Sequence, residues 1–479
     1  MKIVGRKKEK QLLKEAFESG KAEFIALYGR RRVGKTFLIK NFFEGVKCTF
    51  VYVSGMKNGT YNQQLQNFAD ALSQTFFSGL KTPSNWMEGF KTFTELMGKI
   101  DPKNNVVLFL DELPWLATRR SQLLEALDYY WNRHWSHDRR IKLIVCGSAA
   151  SWILNKIIYN KGGLYNRVTR QFRLEPFSLL ETKSFIRENG TKLNNRHILE
   201  IYMATGGIAY YLSQIRKNLS AAQNIDELAF SKQGVLYQDF DILFSSIFDE
   251  SNVYVDLVRI IAAKRYGISH SDLLEQSKNL SSGGRAVQRL LDLEEAGFII
   301  SFLPYGHKKK GVYYRLIDEY IFFYLKWIEP FKKSAKKIGK ISWTALRTTP
   351  SWKSWAGYAF ETICMKHVEQ IRQALHLDPL SLAATWRYEG KKAEEGAQID
   401  LLFNRSDDSI TFCEIKYTEE PFKIDKECFL ILKRKTEVYQ KVTRTKKQIF
   451  WVFVSSSGLK PTLYSEEVAA VVTLEDLFK

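Results

Sequence analysis

The chain has 479 residues, 45% hydrophobic, 14% aromatic and 26% charged, with 72 Lys+Arg against 52 Asp+Glu for a net charge of +20. That composition excludes a disordered or collagen-like chain, and at roughly 150 residues per domain the length corresponds to about three domains. The basic excess favours phosphate-bearing partners and says nothing about fold. Cys48, Cys146, Cys364, Cys413 and Cys428 are scattered without a CxxC pair, which fits a reduced compartment and gives no zinc spacing. The opening MKIVGRKKEKQLL lacks the apolar stretch of a signal peptide. The most apolar run, Tyr320–Ile328, contains Lys326 and falls far short of the ~20 residues that span a bilayer. The expectation is a cytoplasmic protein with no membrane partner.

In chain order, residues 22–150 alternate β-rich runs with helical stretches: EFIALYG (23–29), CTFVYVS (48–54), NVVLFLD (105–111) and IKLIVCG (141–147). Each is short, apolar and closed by a Gly, Ser or Asp, as buried parallel strands are, so the reading is an α/β sheet. Residues 175–250 read as helical. Residues 251–330 carry short helices and then two β-type runs around a Gly- and Lys-rich turn. A basic, low-signal stretch follows, and residues 350–479 open with a helix and continue as strands. The expected domains are 1–172, 173–245, 246–330, a basic connector 331–349, and 350–479.

Gly29-Arg30-Arg31-Arg32-Val33-Gly34-Lys35-Thr36 matches GxxxxGK(S/T) between a strand run and a helical stretch. Its glycines let backbone N–H groups turn inward around phosphates, and the helix N-terminus adds positive dipole. Gly29, Arg32, Val33 and Gly34 form the loop, Lys35 reaches the β- and γ-phosphates, and Thr36 ligates Mg²⁺. VVLFLDE (106–112) ends in two carboxylates: Asp111 suits the Mg²⁺, and Glu112 suits polarising the attacking water. In IKLIVCGSAASW, Ser148 either sits beside the γ-phosphate or caps the next helix.

With IVGRKKEKQLL, GRRRVGKT, FLDELPWL, CGSAASW, GLYNRVTRQFRLEPFS and TGGIAYYL in order over residues 1–235, the sequence resembles the AAA+/STAND-type ATPases of predominantly archaeal distribution. The resemblance implies a P-loop AAA+ core with a helical lid, and ATP as substrate. It implies that Gly5, Arg6 and Glu9 lie near the adenine. It also implies that Arg167 acts as an arginine finger across subunits of a homo-oligomer, with Arg170 as second choice. The family often has GGIPYYL where this chain has Ala209 in place of the proline.

Gly284 and Arg285 open an amphipathic stretch after Ser281-Ser282-Gly283, with a second short helix upstream and a strand pair downstream turning at His307-Lys308-Lys309-Lys310. Helix, turn, helix and basic hairpin suggest a winged helix. On DNA, Arg285, Gln288 and Arg289 would face the groove and Lys308, Lys309 and Lys310 would meet phosphates. Such modules also serve as connectors, and a lysine-rich hairpin tip is often simply solvated.

AQIDLLF and ITFCEIKY flank the turn cluster NRSDDS. A hairpin symmetric about Asp407 puts Asp400 opposite Glu414, and Lys416 shares the face of Glu414. Paired carboxylates hold Mg²⁺ through oxygen ligands, and a lysine stabilises developing charge. Glu361, on a preceding helix, is a third carboxylate. These residues resemble the PD-(D/E)xK nuclease fold over residues 350–479, with Ile399 where that pattern has proline. The resemblance makes Glu361, Asp400 and Glu414 metal ligands, for Mg²⁺ or Mn²⁺, and Lys416 the lysine of the ExK pair. Lys433 and Gln440 on the following helix are candidates to assist.

The expected function is an ATP-hydrolysing protein that acts on DNA, with metal-dependent phosphodiester cleavage by the C-terminal domain. The rival is a nucleotide-dependent switch or scaffold whose nuclease-like domain binds without cutting. The charge is uneven: residues 1–50 hold 13 basic and 5 acidic residues, and residues 301–350 hold 11 and 3.

Overall fold

The structure, a computed structural model, describes residues 2–159, 162–277, 283–303, 305, 311–334, 342–390 and 395–479. Its internal contacts separate two units: 1–176 with 246–249 and 287–297, and 177–245 with 250–286 and 298–479.

In the first unit β1 (Glu23–Tyr28), β2 (Cys48–Ser54), β3 (Asn105–Asp111), β4 (Ile141–Gly147) and β5 (Arg170–Arg173) form a parallel sheet in the order β2-β3-β4-β1-β5. β1, β3 and β4 are buried along almost their whole length, which is why they read as continuous apolar runs. β5 is different. Its sequence RQFR is half-exposed and among the described residues pairs only with β1, so it carries the charge of a protected edge rather than a core pattern. Arg170 there bonds Glu23 and Glu15 at 3.4 and 3.5 Å, fastening the edge strand. Aromatic rings fill the core: Phe24 lies 5.1 Å from Trp131, and Phe90 lies 5.2 Å from Trp135.

The second unit opens with helices Leu179–Glu188 and Asn195–Thr205, capped by the side chains of Ser178 and Asn194. Between the second helix and Ala209–Leu212, Gly207 adopts φ +69°, and a Cβ there would lie 2.2 Å from the Phe177 carbonyl oxygen. Only glycine fits. Ala209 occupies the first position of its helix, where proline is tolerated but not required.

Helix Ser251–Ala262, β6 (Ile268–Ser269), helices His270–Gln276 and Gly284–Glu295, β7 (Ile299–Phe302) and β8 (Tyr313–Leu316) follow. The strands form an antiparallel sheet in the order β6-β8-β7. Helix Gly284–Glu295 is divided between the two units. Ala286, Arg289, Leu290 and Leu293 are buried on it, whereas Arg285 and Gln288 are exposed. Arg289 therefore does not face a groove as expected: the spacing i, i+3, i+4, i+7 puts it in the buried stripe. Lys308, Lys309 and Lys310 lie outside the described residues.

The remaining strands are β9 (Leu382–Tyr388), β10 (Ala397–Asn404), β11 (Ser409–Lys416), β12 (Phe422–Lys423), β13 (Gln448–Ser455), β14 (Leu459–Lys460) and β15 (Ala470–Thr473). A mixed sheet runs β15-β13-β11-β10-β9, in which β9–β10 and β10–β11 pair antiparallel and β11–β13 and β13–β15 pair parallel. Helix Lys426–Thr443 makes the β11-to-β13 crossover. The expected connector 331–349 is anchored among its described residues. Trp343 is fully buried against Trp352, with centroids 4.8 Å apart, and its backbone N–H donates to Asp226. Among the described residues no helix is long and apolar enough to cross a membrane.

Candidate functional site

The phosphate loop leaves β1 at the carboxyl end of the sheet, where open α/β sheets bind their ligands. Gly29 (φ +139°), Arg32 (φ +70°) and Gly34 (φ +99°) turn the backbone through the left-handed region, and Lys35 begins helix Lys35–Phe43. A Cβ on Gly29 would lie 2.5 Å from the Leu174 carbonyl oxygen. The Lys35 ammonium donates across the loop to the Gly29 and Arg30 carbonyls at 2.8 and 3.0 Å and to Ser148 Oγ at 3.1 Å.

Thr36 Oγ1 donates to Asp111 Oδ2 at 2.7 Å, and Tyr52 OH donates to the same oxygen at 3.3 Å. Hard oxygen donors this close fit a Mg²⁺ that keeps waters and binds substrate phosphate. Glu112 has φ +47°, a strained backbone for a residue with a Cβ. Its carboxylate accepts the Ser148 N–H at 3.0 Å and the Ser148 hydroxyl. The strands β1, β3 and β4 thus bring Lys35, Thr36, Asp111, Glu112 and Ser148 into one network. Arg6 is buried and its guanidinium donates to the Val33 carbonyl at 3.4 Å, so the N-terminal Gly5-Arg6 segment touches the loop. Arg167 is exposed and has no side-chain partner among the described residues. Tyr52 carries no sequence motif. Its signal is its place in β2, paired with Phe109 and two residues short of the Ser54–Asp111 pair.

In the second unit β10 and β11 pair with Leu401 opposite Cys413 and Asn404 opposite Ile410, the register centred on Asp407. Asp400 and Glu414 therefore stand opposite. The β9 pairing slips between Ile399 and Leu402, a bulge beside Asp400 of the kind that re-aims side chains near sites. Asp400 Oδ2 accepts the Ile415 N–H at 3.1 Å. Glu414 is buried, with Lys416 Nζ 2.8 Å from Oε1 and Lys435 Nζ 2.6 Å from Oε2. Burial and then the Glu414 and Glu361 carboxylates raise the pKa of Asp400. Burial opposes the charge of Glu414, yet the Lys435 and Lys416 ammoniums hold its pKa below the usual range.

Glu361 sits close enough to act on Asp400, but its Oε1 is bonded by Arg265 at 2.7 Å. Among the described residues no three His, Cys, Asp or Glu side chains form a metal-holding group, so the expected ligand triad is not assembled. Lys433 instead stacks 4.7 Å over Phe429. Lys435 is the lysine that the motif missed. Its signal is a charge lodged in the buried stripe of Leu432 and Tyr439.

Residues 3–215 match the model of an ATPase domain found predominantly in Archaea. The match takes in the phosphate loop, Asp111, Glu112, Ser148 and Arg167, and the first unit has the α/β P-loop ATPase fold. An uncharacterized protein of Methanocaldococcus jannaschii is 25% identical over 449 residues, covering 91% of this chain and 92% of its own. An uncharacterized ATP-binding protein of the same organism is 54% identical over 45 residues, 9% of this chain and 76% of its own. Among solved structures, the Walker-type ATPase of Pyrococcus abyssi is 17% identical with TM-score 0.47, covering 68% of this chain and 96% of its own. The Aeropyrum pernix ORC2 protein is 14% identical with TM-score 0.47, covering 77% and 96%.

Proposed function

We propose that the protein binds and hydrolyses ATP in its first unit and acts on DNA, with phosphodiester cleavage at the Asp400–Glu414 pair. The observation that carries the ATPase reading is the joined network of Lys35, Thr36, Asp111, Glu112 and Ser148. Lys35 exchanges its loop carbonyls for the β- and γ-phosphates. Thr36 and Asp111 hold Mg²⁺, which when bound neutralises phosphate charge. Glu112 orients the attacking water, held in place by Ser148. Arg167, exposed and without a side-chain partner among the described residues, serves as the finger of a neighbouring copy in a homo-oligomer. The uncharacterized ATP-binding protein of M. jannaschii, 54% identical over 45 residues, is consistent with the nucleotide assignment.

The helix–strand–helix–helix order of residues 251–295, followed by the antiparallel strands β7 and β8, supports reading this segment as a winged helix. Arg285 and Gln288 are its exposed groove-facing candidates, and the charge of Lys308, Lys309 and Lys310 suits phosphates. The helix 350–366 with β9–β10–β11, crossover helix and β13 has the order of a PD-(D/E)xK domain. There Asp400 and Glu414 supply oxygen ligands for Mg²⁺ or Mn²⁺. Lys416 stabilises charge on the phosphate, and Lys435 balances Glu414. The rival reading, binding without cutting, is favoured by the Arg265–Glu361 ion pair, which withholds the third carboxylate.

Two experiments test these assignments. Lys35→Ala is expected to abolish ATP hydrolysis; unchanged turnover removes the ATP-site assignment. Nicking of supercoiled plasmid with Mg²⁺ or Mn²⁺ is expected to be lost in an Asp400→Ala/Lys416→Ala double variant. Identical nicking by both proteins rejects the nuclease in favour of the rival reading.

A further inference from the structure

Arginine and tyrosine side chains from separate elements of the second unit stack alternately in one row. Arg387 of β9 lies 5.1 Å over the Tyr266 ring, and Arg265 lies 5.1 Å over the same ring. Arg265 also lies 5.2 Å over the ring of Tyr358, on helix Pro350–Lys366, and Arg315 of β8 lies 5.1 Å over that ring. The order is Arg387, Tyr266, Arg265, Tyr358, Arg315. Each ring thus holds two guanidiniums at a fixed interval. The Tyr358 hydroxyl donates to the Arg265 carbonyl, which pins the backbone in the middle of the row.

A guanidinium stacked on a ring commits its face and keeps its N–H edge for other acceptors. Those edges are lightly used. Among the described residues Arg265 makes one side-chain hydrogen bond, from Nη2 to the buried Glu361 at 2.7 Å, although a guanidinium carries several donors. The Arg387 Nη2 lies 3.1 Å from Glu389, whose side chain is 74% exposed. A pair that open to water is worth little and exchanges readily. Arg315 donates to Thr362 Oγ1 at 3.1 Å. The Arg265 and Arg387 side chains are 47% and 43% exposed, so their edges meet solvent.

Fork-shaped donors held at intervals suit an anion that repeats, and the phosphate backbone of a nucleic acid is one. With their faces on rings, these arginines offer edges that grip phosphates and nothing that selects a base. We propose that the Arg387–Tyr266–Arg265–Tyr358–Arg315 row is a DNA-backbone contact that is indifferent to sequence. The proposal rests on the reading that the protein acts on DNA, and it needs neither cleavage nor a metal. It adds to the second unit a contact surface distinct in residues from Arg285, Gln288 and the basic turn.

Fluorescence anisotropy of the full-length protein with two labelled duplexes of unrelated sequence, over a series of KCl concentrations, tests it. Arg387→Ala leaves no buried charge behind. It should weaken both duplexes by about threefold and reduce the slope of log Kd against log salt by ~0.9, the value of one phosphate contact. Arg265→Ala/Glu361→Gln removes the second guanidinium without stranding a buried carboxylate, and should lower affinity and slope by similar amounts. Unchanged affinity in both folded variants, a loss with the salt slope unaltered, or a loss confined to one of the two sequences overturns the proposal. If the wild-type protein binds neither duplex at low salt, the reading that it acts on DNA fails, and the proposal falls with it.

Discussion

Lys435 Nζ lies 2.6 Å from Glu414 Oε2, and Lys416 Nζ lies 2.8 Å from the other oxygen of the same carboxylate. A buried carboxylate held by two ammoniums on separate elements ties helix Lys426–Thr443 to β11. Breaking a buried pair costs ~3–5 kcal/mol when the remaining charge is left bare. Glu414 keeps Lys416, so Lys435→Met should cost less, about 2 kcal/mol, by urea unfolding. A variant as stable as wild type would remove Lys435 from the charge balance of the site.

His367 makes a prediction about pH. Its Nδ1 lies 2.8 Å from the Ile363 carbonyl and its Nε2 accepts the Leu179 N–H at 3.2 Å, so the ring is neutral with its proton on Nδ1. Burial pushes its pKa down to about 4. Below pH ~6.5 the unfolded chain takes up a proton that the folded one refuses, so stability falls as pH drops from ~6.5 towards 4 and is fully present above that window. The loss attributable to this ring is about 3 kcal/mol. Denaturant unfolding of wild type and His367→Gln across this range should converge at low pH. Parallel profiles would contradict the assignment.

Much of the first unit was legible in the sequence, because β1, β3 and β4 are buried along almost their whole length and read as apolar runs, and β2, though only partly buried, is apolar too. β5 was not: an edge strand of RQFR carries no hydrophobic period, and only its pairing with β1 reveals it. In the second unit the turn cluster around Asp407 fixed the β10–β11 register, and the opposition of Asp400 and Glu414 followed from it. The partners of those carboxylates did not follow. Arg265 lies 96 residues from Glu361, and Lys435 lies 21 from Glu414, so no local pattern links them. Arg289 misled because charge suggested exposure while helical spacing placed it with Leu290 and Leu293.

Trp343 tests the part of the chain that looked like a loose basic connector. It packs fully buried with Phe323, Trp327 and Trp352. Trp343→Ala should cost ~3–5 kcal/mol through lost burial and the cavity left behind. A change below ~1 kcal/mol in thermal or urea unfolding would show that the segment is not part of the core.

Arg167 is exposed and its side chain has no partner among the described residues, so its removal should leave stability within ~0.5 kcal/mol. At concentrations where the protein assembles, Arg167→Ala should lower ATP turnover by ~10³-fold or more, the scale of a finger arginine. Mixing Arg167→Ala with Lys35→Ala subunits should restore part of the activity, since each copy supplies what the other lacks. Full turnover by Arg167→Ala alone would exclude the finger.

The most direct measurement is single-turnover ATP hydrolysis by Glu112→Gln, with ATP binding measured on the same protein. Glu112 reaches Ser148 rather than Lys35 or Thr36, so the substitution should leave ATP bound while hydrolysis falls by at least ~100-fold, the scale of a lost catalytic base. Hydrolysis at the wild-type rate with ATP bound would contradict the account of the site.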